Sequence, residues 1–278
     1  MARDFLTDIV EHKMKEVAEA QRRVPEEELK EKLFSPVQRR SLAAALSRPG
    51  INIIAEIKRA SPSRGAIRPD LDPSTFAAAY EKGGAAAISV LTDTAWFNGS
   101  ADDLTAARQA ATLPVLRKEF ILTPYQVYES AVMGADAILL IVRILTEAQL
   151  NRLLALAREL NLEALVEIHA ASEVDAVKRA GAGLVGNNNR NLQSFETDTG
   201  TAVRILDLLD PGQVAVAASG IGSRSDIEAN LKAGIHNFLV GESIVRAEDT
   251  AGFIRTLIAG DAVPAPGAGG NTETSANG

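Results

Sequence analysis

The sequence predicts an α/β fold, a closed (β/α)8 barrel preceded by a helical extension. Short apolar segments alternate with helical patterns after Gly50, and a parallel barrel needs eight such units, each of roughly 20 to 35 residues. The segments are apolar on both faces, which is typical of a parallel sheet covered by helices. The eight strand candidates are residues 51–57, 85–90, 114–118, 136–142, 163–168, 183–187, 214–218 and 236–240.

Glycines and helix caps stand where this repeat requires them. Gly84, Gly134, Gly181 and Gly234 each precede a strand candidate, where a left-handed residue ends a helix. Helix N-termini are indicated at Asp72-Pro73, Thr123-Pro124, Thr146 to Gln149 and Ser223 to Asp226. An open doubly wound sheet is the alternative, but it does not need the eighth unit. It also usually has a Gly-rich first turn, which is missing here.

The residues ahead of the first strand candidate read as helices. Pro25 separates two helical patterns, and the second ends before Pro49-Gly50. Their apolar positions are Phe5, Leu6, Ile9, Val10, Met14 and Val17 in the first and Val37, Leu42, Ala45 and Leu46 in the second. We expect this extension, residues 1–48, to cover the bottom or rim of the barrel, or to place Phe5 or its neighbours over a substrate.

The barrel is predicted to span residues 49–260. Residues 261–278 contain few side chains that could form a core, so we predict a disordered tail.

Composition and charge narrow the possible partners. The net charge of -7 argues against nucleic-acid binding and against attachment to anionic lipid, so an anionic substrate would need a locally cationic pocket. The absence of cysteine excludes disulfides and thiolate chemistry and fits a reducing compartment, and we expect a cytoplasmic protein. His12, His169 and His236 are too scattered to suggest a metal site. We expect a monomer, or at most a weak homodimer.

Polar residues follow most of the strand candidates, at the end where barrel enzymes carry their active sites. They are Glu56, Lys58 and Ser61, then Ser89, Thr92 and Asp93, then Arg117, Lys118 and Glu119, then Glu167 and His169, then Asn188 and Arg190, then Ser219 and Gly220, and finally Gly241, Glu242 and Ser243. Two lysines and two carboxylates in one pocket mouth would perturb one another's proton affinities and supply a general acid and a general base.

Each of these residues also has a structural interpretation. Lys118 could be a surface loop charge, and Glu167 could be the partner of a neighbouring lysine inside the barrel. Asn188 and Arg190 could stabilise their loop by local hydrogen bonds. Glu56 and Lys58 could form a solvated salt bridge at a frayed strand end.

A phosphate site is indicated after the last two strand candidates. Ser219-Gly220-Ile221-Gly222 follows the seventh, and Val240-Gly241-Glu242-Ser243 follows the eighth, before a helical run from Ile244 to Ile258. Main-chain N–H groups at two such turns, with a helix behind them, form the usual phosphate site of barrel enzymes. The alternative is that the glycines only allow tight turns.

Six motifs in order resemble those of indole-3-glycerol phosphate synthase, an enzyme of tryptophan biosynthesis, and the likeness runs from about residue 3 to 258. The motifs are Ala55 to Ser63 (AEIKRASPS), Ser89 to Asp93 with Phe97 to Ser100, Leu116 to Ile121, Leu165 to His169, Asn188 to Leu192 and Ser219 to Ile221. The resemblance implies a TIM barrel lyase that needs no cofactor. Such an enzyme would close the ring of 1-(o-carboxyphenylamino)-1-deoxyribulose 5-phosphate in a decarboxylation reaction that releases carbon dioxide and water.

The resemblance also implies roles for five catalytic residues. Lys118 would be the general acid that protonates the substrate carbonyl. Lys58 would pair with the substrate carboxylate and deliver a proton during dehydration, in which Glu167 would be the general base. Glu56 would position or assist these groups, and Asn188 would be a polar anchor. The implied substrate-binding residues are Ser61, Phe97, Phe120, Arg190, Ser219, Gly220, Gly241 and Glu242. Phe97 and Phe120 would pack on the aromatic ring, and Ser61 and the glycines would bind phosphate.

Two positions depart from the family pattern. The family has a glutamate directly before Ser-Gly-Ile, where this chain has Ala218, and an apolar residue where it has Asn187. Because a methyl group accepts neither a proton nor a hydrogen bond, Ala218 predicts reduced turnover on an intact fold. The alternatives are a barrel that binds a sugar phosphate without catalysis and another phosphosugar isomerase or aldolase, since fold alone does not fix function. An aldolase, however, needs one desolvated lysine that forms a Schiff base.

Overall fold

The computed structural model describes residues 5–33, 38–188 and 205–259. Eight parallel strands in these residues close into a barrel, with each strand paired to the next along the chain and the last paired to the first, which confirms the predicted (β/α)8 architecture. The strands are β1 Asn52–Ile57, β2 Ala87–Leu91, β3 Val115–Lys118, β4 Ala137–Ile141, β5 Glu163–Ile168, β6 Leu184–Asn188, β7 Val214–Ala218 and β8 Asn237–Val240.

Helices cover the outside of the barrel and precede it. In chain order they are α1 Phe5–Arg23, α2 Glu26–Lys32, α3 Leu42–Leu46, α4 Pro73–Gly83, α5 Thr94–Phe97, α6 Ala101–Ala110, α7 Pro124–Val132, α8 Glu147–Glu159, α9 Val174–Arg179, α10 Arg224–Leu231, α11 Glu242–Arg246 and α12 Thr250–Ala259. Short 3-10 turns occupy Val142–Ile144 and Ala171–Glu173. Within the described residues, none of the helices is long and apolar enough to cross a membrane.

The predicted helix ends are confirmed. Asp72, Thr123, Thr146 and Ser223 are the N-caps of α4, α7, α8 and α10. The glycines that end helices adopt the left-handed conformation, with φ of 88° at Gly84, 85° at Gly134, 68° at Gly181 and 88° at Gly234.

Side chains on the strands alternate between the barrel interior and the surrounding helices. Ile54 and Leu116 point into the interior cluster, whereas their neighbours Ile53 and Val115 pack against the helices. Leu42 of α3 belongs to the interior cluster, so this helix closes the N-terminal end of the barrel. The polar residues at the strand C-termini therefore face the opposite, open end.

The extension is helical as predicted, but its last helix is shorter than the sequence indicates. α3 begins at Leu42 behind the cap Ser41, and Val37 lies outside the described residues. Arg39 and Arg40 do not continue the helix because their side chains bind main-chain carbonyls of the barrel, including Leu160 O at 3.2 Å and Leu113 O at 2.8 Å. The boundary at residues 48 and 49 stays a prediction, and the predicted tail, 261–278, lies outside the described residues.

The helical run predicted from Ile244 to Ile258 is two helices, so that expectation was wrong. α11 ends at Arg246, Ala247 is extended, and α12 begins at Thr250. Asp249 accepts a hydrogen bond from the N–H of Gly252 at 2.8 Å, which favours a new helix start there. A second difference is a small antiparallel ribbon of Ala60–Ser61 and Gly65–Ala66 in the loop after β1, which the sequence did not predict.

Candidate active site

A cavity of about 520 Å³ opens at the C-terminal end of the barrel strands. Its polar lining comes from strand ends that are far apart in the sequence, as the alternation of side chains along each strand requires. Among the lining residues are Glu56, Lys58, Ser61, Phe97, Lys118, Phe120, Glu167, Asn188, Ala218, Ser219, Gly220, Gly241 and Glu242. The structure thus brings together every residue that was given a catalytic or substrate-binding role except Arg190, which lies outside the described residues. The other polar residues predicted at the strand ends include five that do not line the cavity, namely Ser89, Thr92, Asp93, Arg117 and His169.

Two lysines and two carboxylates form a chain of alternating charge across the cavity floor. Lys58 Nζ lies 2.7 Å from Glu56 Oε1. Lys118 Nζ lies 4.0 Å from Glu56 Oε2 and 3.9 Å from Glu167 Oε2. Lys118 therefore stands between the two carboxylates without a close hydrogen bond to either, so its ammonium can reach a substrate oxygen that enters the cavity.

At the far end of this chain, Glu167 accepts a hydrogen bond from an amide and lies beside an imidazole ring. Asn188 Nδ2 donates to Glu167 Oε1 at 3.2 Å, and His169 Nε2 lies 3.6 Å from the same oxygen. The His169 ring is buried and neither nitrogen makes a hydrogen bond within the described residues. Burial lowers the pKa of His169 although Glu167 opposes this, which favours the neutral ring. The sequence placed His169 at a strand end but gave it no role.

Aromatic and apolar side chains form one wall of the cavity. The rings of Phe97 and Phe120 lie 6.2 Å apart between centroids, at an interplanar angle of 39°. Leu6 and Ile9 of α1 also line the cavity, and we call these four apolar side chains the apolar wall. The sequence predicted only that Phe5 or its neighbours would cover a substrate, and the side chain of Phe5 lies outside the described structure. The sequence signal for Leu6 and Ile9 was the apolar stripe along the first predicted helix.

The turns after β7 and β8 lie at the cavity wall together with Ser61. The hydroxyl oxygen of Ser61 is buried and has no hydrogen-bond partner among the described residues. Ser219 and Gly220 both adopt left-handed backbone conformations, with φ of 65° and 80°. Such a conformation is uncommon for serine and concentrates at functional sites.

Gly241 makes room for Glu56. A Cβ atom at position 241 would collide with the Glu56 carboxylate, although the backbone φ there is ordinary for any residue. This glycine is therefore required by the close approach of Glu56. The neighbouring Glu242 directs its carboxylate to Arg246 Nε at 3.1 Å and Arg64 Nε at 3.6 Å, so only its main-chain N–H is suited to an anion.

Ala218 ends β7 with its methyl group at the cavity wall. Its backbone is in register with Asn188 of β6 and Leu239 of β8, and the residue is buried. A longer side chain at this position would extend toward the cavity, on the side of Asn188.

A family model and curated relatives match most of this chain. The family model described as "Indole-3-glycerol phosphate synthase" matches residues 6–257. The indole-3-glycerol phosphate synthase of Desulfosudis oleivorans is 56% identical over 259 residues, which cover 92% of this chain and 98% of the relative. That of Syntrophobacter fumaroxidans is 52% identical over 257 residues, covering 91% of this chain and 97% of the relative.

Solved structures with low sequence identity share the fold alone. Thiamine phosphate pyrophosphorylase from Pyrococcus furiosus aligns with a TM-score of 0.58 at 16% identity, over 78% of this chain and 96% of that one. The 3-hexulose-6-phosphate synthase from Salmonella typhimurium aligns with a TM-score of 0.59 at 15% identity, over 74% and 96%. The family match and the two close relatives extend over most of the sequence, and on that evidence the chain belongs to the indole-3-glycerol phosphate synthase family.

Proposed function

We propose that the alternating lysines and carboxylates of this cavity carry out the reaction of the indole-3-glycerol phosphate synthase family. The substrate is 1-(o-carboxyphenylamino)-1-deoxyribulose 5-phosphate, and the products are indole-3-glycerol phosphate, carbon dioxide and water. The observation that carries the assignment is the position of Lys118, midway between Glu56 and Glu167 in a cavity that also has an apolar wall.

Ring closure needs an acid beside the substrate carbonyl. The ring carbon that bears the carboxylate attacks the keto carbon, and the keto oxygen takes up a proton and becomes a hydroxyl. Lys118 supplies that proton, because its ammonium is held near the cavity floor by two carboxylates at 3.9 and 4.0 Å, which are too distant to consume its hydrogen bonds. The carboxylate of the substrate then leaves as carbon dioxide.

Dehydration needs a base and a second acid. Glu167 removes a proton from the new five-membered ring while the hydroxyl leaves as water with a proton from Lys58. Asn188 donates to Glu167 and so orients its carboxylate. Glu56 holds Lys58 at 2.7 Å, which keeps this second acid beside the substrate carboxylate. Arg190 is proposed as a further anchor of the anthranilate part.

The other end of the substrate is held by its phosphate. The Ser61 hydroxyl and the main-chain N–H groups of Gly220, Gly241 and Glu242, with Ser219 beside them, are the proposed ligands. The unpartnered, buried hydroxyl of Ser61 supports this assignment. With the phosphate fixed there and the aromatic ring against Phe97 and Phe120, the two reacting carbons are held together, which is itself a large part of the catalysis.

Ala218 is proposed to limit turnover. The family glutamate at this position would join the hydrogen-bond network of the lysines, and a methyl group cannot. We expect Ala218→Glu to raise kcat without lowering the melting temperature by more than a few degrees. Ala218→Gln is the matched control, because it has the same size without the charge. An unchanged or lower kcat in Ala218→Glu would mean that this chain has compensated for the loss elsewhere.

The reaction is tested by incubating the protein with the substrate and following indole fluorescence. We expect indole fluorescence to rise, with one molecule of carbon dioxide released for each molecule of product. We expect borohydride not to trap the substrate covalently on the protein. Binding without product would indicate a non-catalytic sugar phosphate barrel, and trapping would indicate an aldolase. We further propose that the protein is monomeric and cytoplasmic, the latter because a chain without cysteine suits a reducing compartment.

A further inference from the structure

One ammonium group outside the proposed reaction centre connects three segments that form the cavity wall. Lys13, on α1, is only 5% exposed. Its Nζ lies 2.5 Å from Glu16 Oε2 on the same helix, 2.7 Å from Asp93 Oδ2 after β2 and 3.0 Å from Glu119 Oε1 after β3. We call Lys13, Glu16, Asp93 and Glu119 the Lys13 cluster.

Lys13 and Glu119 are stabilised in their charged forms in the folded protein, whereas burial raises the pKa of Asp93 although Lys13 opposes this. Burial alone would lower the pKa of Lys13, but the carboxylates of Glu119 and Asp93 outweigh burial and raise it above its ordinary value. Burial would likewise raise the pKa of Glu119, but Arg117 and Lys13 lower it. Buried carboxylates of this kind are costly unless a cation stays beside them. Lys13 can neutralise Asp93 and Glu119 only while α1 packs against the barrel as it does in this structure, which we call the docked position of α1.

The members of the cluster lie on the three segments that carry the apolar wall. Asp93 is the N-cap of α5, the helix that carries Phe97. Glu119 stands between Lys118 and Phe120 in the chain and lines the cavity itself. α1 carries Ile9 and Leu6, which lie about one and two helical turns before Lys13, respectively.

We propose that Lys13 is a positioning residue that fixes α1, Phe97 and Phe120 around the aromatic part of the substrate. This proposal depends on the assignment of that wall to the aromatic ring under the proposed function. Lys13 does not touch the reacting atoms, so its loss weakens substrate binding more than it slows the chemical steps.

The single tryptophan of the chain reports on the same contact. The main-chain N–H of Trp96 donates to Asp93 Oδ1 at 2.7 Å, and the ring of His12 on α1 lies 6.2 Å from the Trp96 ring at an interplanar angle of 76°. If α1 leaves its docked position, Trp96 loses that neighbour. Its emission therefore measures the docking of α1 without any need for turnover.

The test compares Lys13→Met with Lys13→Arg and with a control, Lys32→Met. Lys32 also pairs with a glutamate of the extension, at 2.7 Å from Glu28 Oε1, but on the exposed surface. For Lys13→Met we expect KM to rise roughly tenfold, which corresponds to the loss of about one buried apolar contact with the substrate. We expect kcat to fall by less than about threefold. We also expect a red shift of the Trp96 emission, a partial return of both properties in Lys13→Arg, and wild-type values in Lys32→Met.

Wild-type KM and Trp96 emission in Lys13→Met would overturn the proposal, and so would a fall in kcat with KM unchanged. If Lys13→Met does not fold, Asp93→Asn replaces it, because asparagine caps a helix as well as aspartate but removes the charge that Lys13 neutralises. Asp93→Asn should then raise KM, and an unchanged KM would overturn the proposal. Absence of product from wild type and Lys32→Met would instead refute the proposed function, while Trp96 emission would still decide whether Lys13 docks α1.

Discussion

Replacing Lys118 with methionine should separate catalysis from stability. Methionine keeps most of the side-chain volume but has no proton to give. A positioned general acid contributes about 100-fold to 10,000-fold in rate. At ~1.4 kcal/mol for each factor of ten, this is about 3 to 5 kcal/mol of transition-state stabilisation. We therefore expect kcat to fall at least about 100-fold in Lys118→Met.

The same change should barely affect folding. Lys118 lies 3.9 and 4.0 Å from its two carboxylates, at the outer limit of an ion pair, and its side chain is 18% exposed. In this variant Glu56 keeps its ion pair with Lys58, and Glu167 keeps the hydrogen bond from Asn188. We therefore expect a loss of about 1 kcal/mol, which for a domain of this size shifts the melting temperature by about 2 to 4 °C.

The assay follows indole fluorescence at saturating substrate, together with thermal unfolding by circular dichroism. Lys178→Met is the control, because Lys178 pairs with Asp210 at 2.8 Å away from the cavity and its loss should leave kcat unchanged. A Lys118→Met enzyme with kcat within tenfold of wild type would refute the role of Lys118 as acid. A melting temperature more than 10 °C lower, with a matching loss of activity, would show that this lysine is structural.

Two further predictions concern stability. In His169→Asn, the free energy of unfolding should depend less on pH than in wild type. Burial lowers the pKa of His169 from its usual 6.5. As the pH falls through 6.5, the unfolded chain therefore takes up a proton that the folded chain does not. The free energy of unfolding of wild type then falls by up to about 1.4 kcal/mol per pH unit. Urea unfolding at pH 7.5 and 5.5 measures this free energy, and an equal change between the two pH values in both proteins would contradict the prediction. Asp136→Asn should destabilise the fold by at least about 3 kcal/mol without changing KM. The buried Asp136 carboxylate binds Arg108 and the N–H groups of Arg40 and Val115 at the end of the barrel opposite the cavity, so an altered KM with unaltered stability would contradict the expectation.

Much of the fold follows from local patterns in the sequence. Strands that are covered on both faces must be apolar, and helix ends need caps and left-handed residues, so both leave marks such as Asp72 and Gly84. The break between α11 and α12 is marked only by Asp249, which caps the new helix as Asp72 caps α4. A single aspartate is also common on an exposed helix face, and Ala247 is not a helix breaker, so one continuous helix was expected.

The convergence of the site residues was predictable for a topological reason. Parallel strands in a barrel place all their C-termini at one end, so Glu56, Lys118 and Glu167 had to come close. Their distances were not predictable, because they depend on rotamers and on the shear of the barrel. The contacts of Lys13 were also hidden, because a helical pattern does not show which part of the barrel a helix packs against. Leu6 was indicated only in general terms, by the apolar stripe of α1. The functional roles of all these residues stay predictions until variants are measured.

A crystal structure with indole-3-glycerol phosphate bound would test the central claim most directly. The account predicts the phosphate on the Ser61 hydroxyl and the N–H groups of Gly220 and Gly241, and the indole ring against Phe97 and Phe120. Among the charged side-chain atoms, Lys118 Nζ should lie closest to C3 of the indole ring, which is the former keto carbon. A phosphate bound elsewhere, or an indole ring out of reach of both Lys118 and Glu167, would contradict the account.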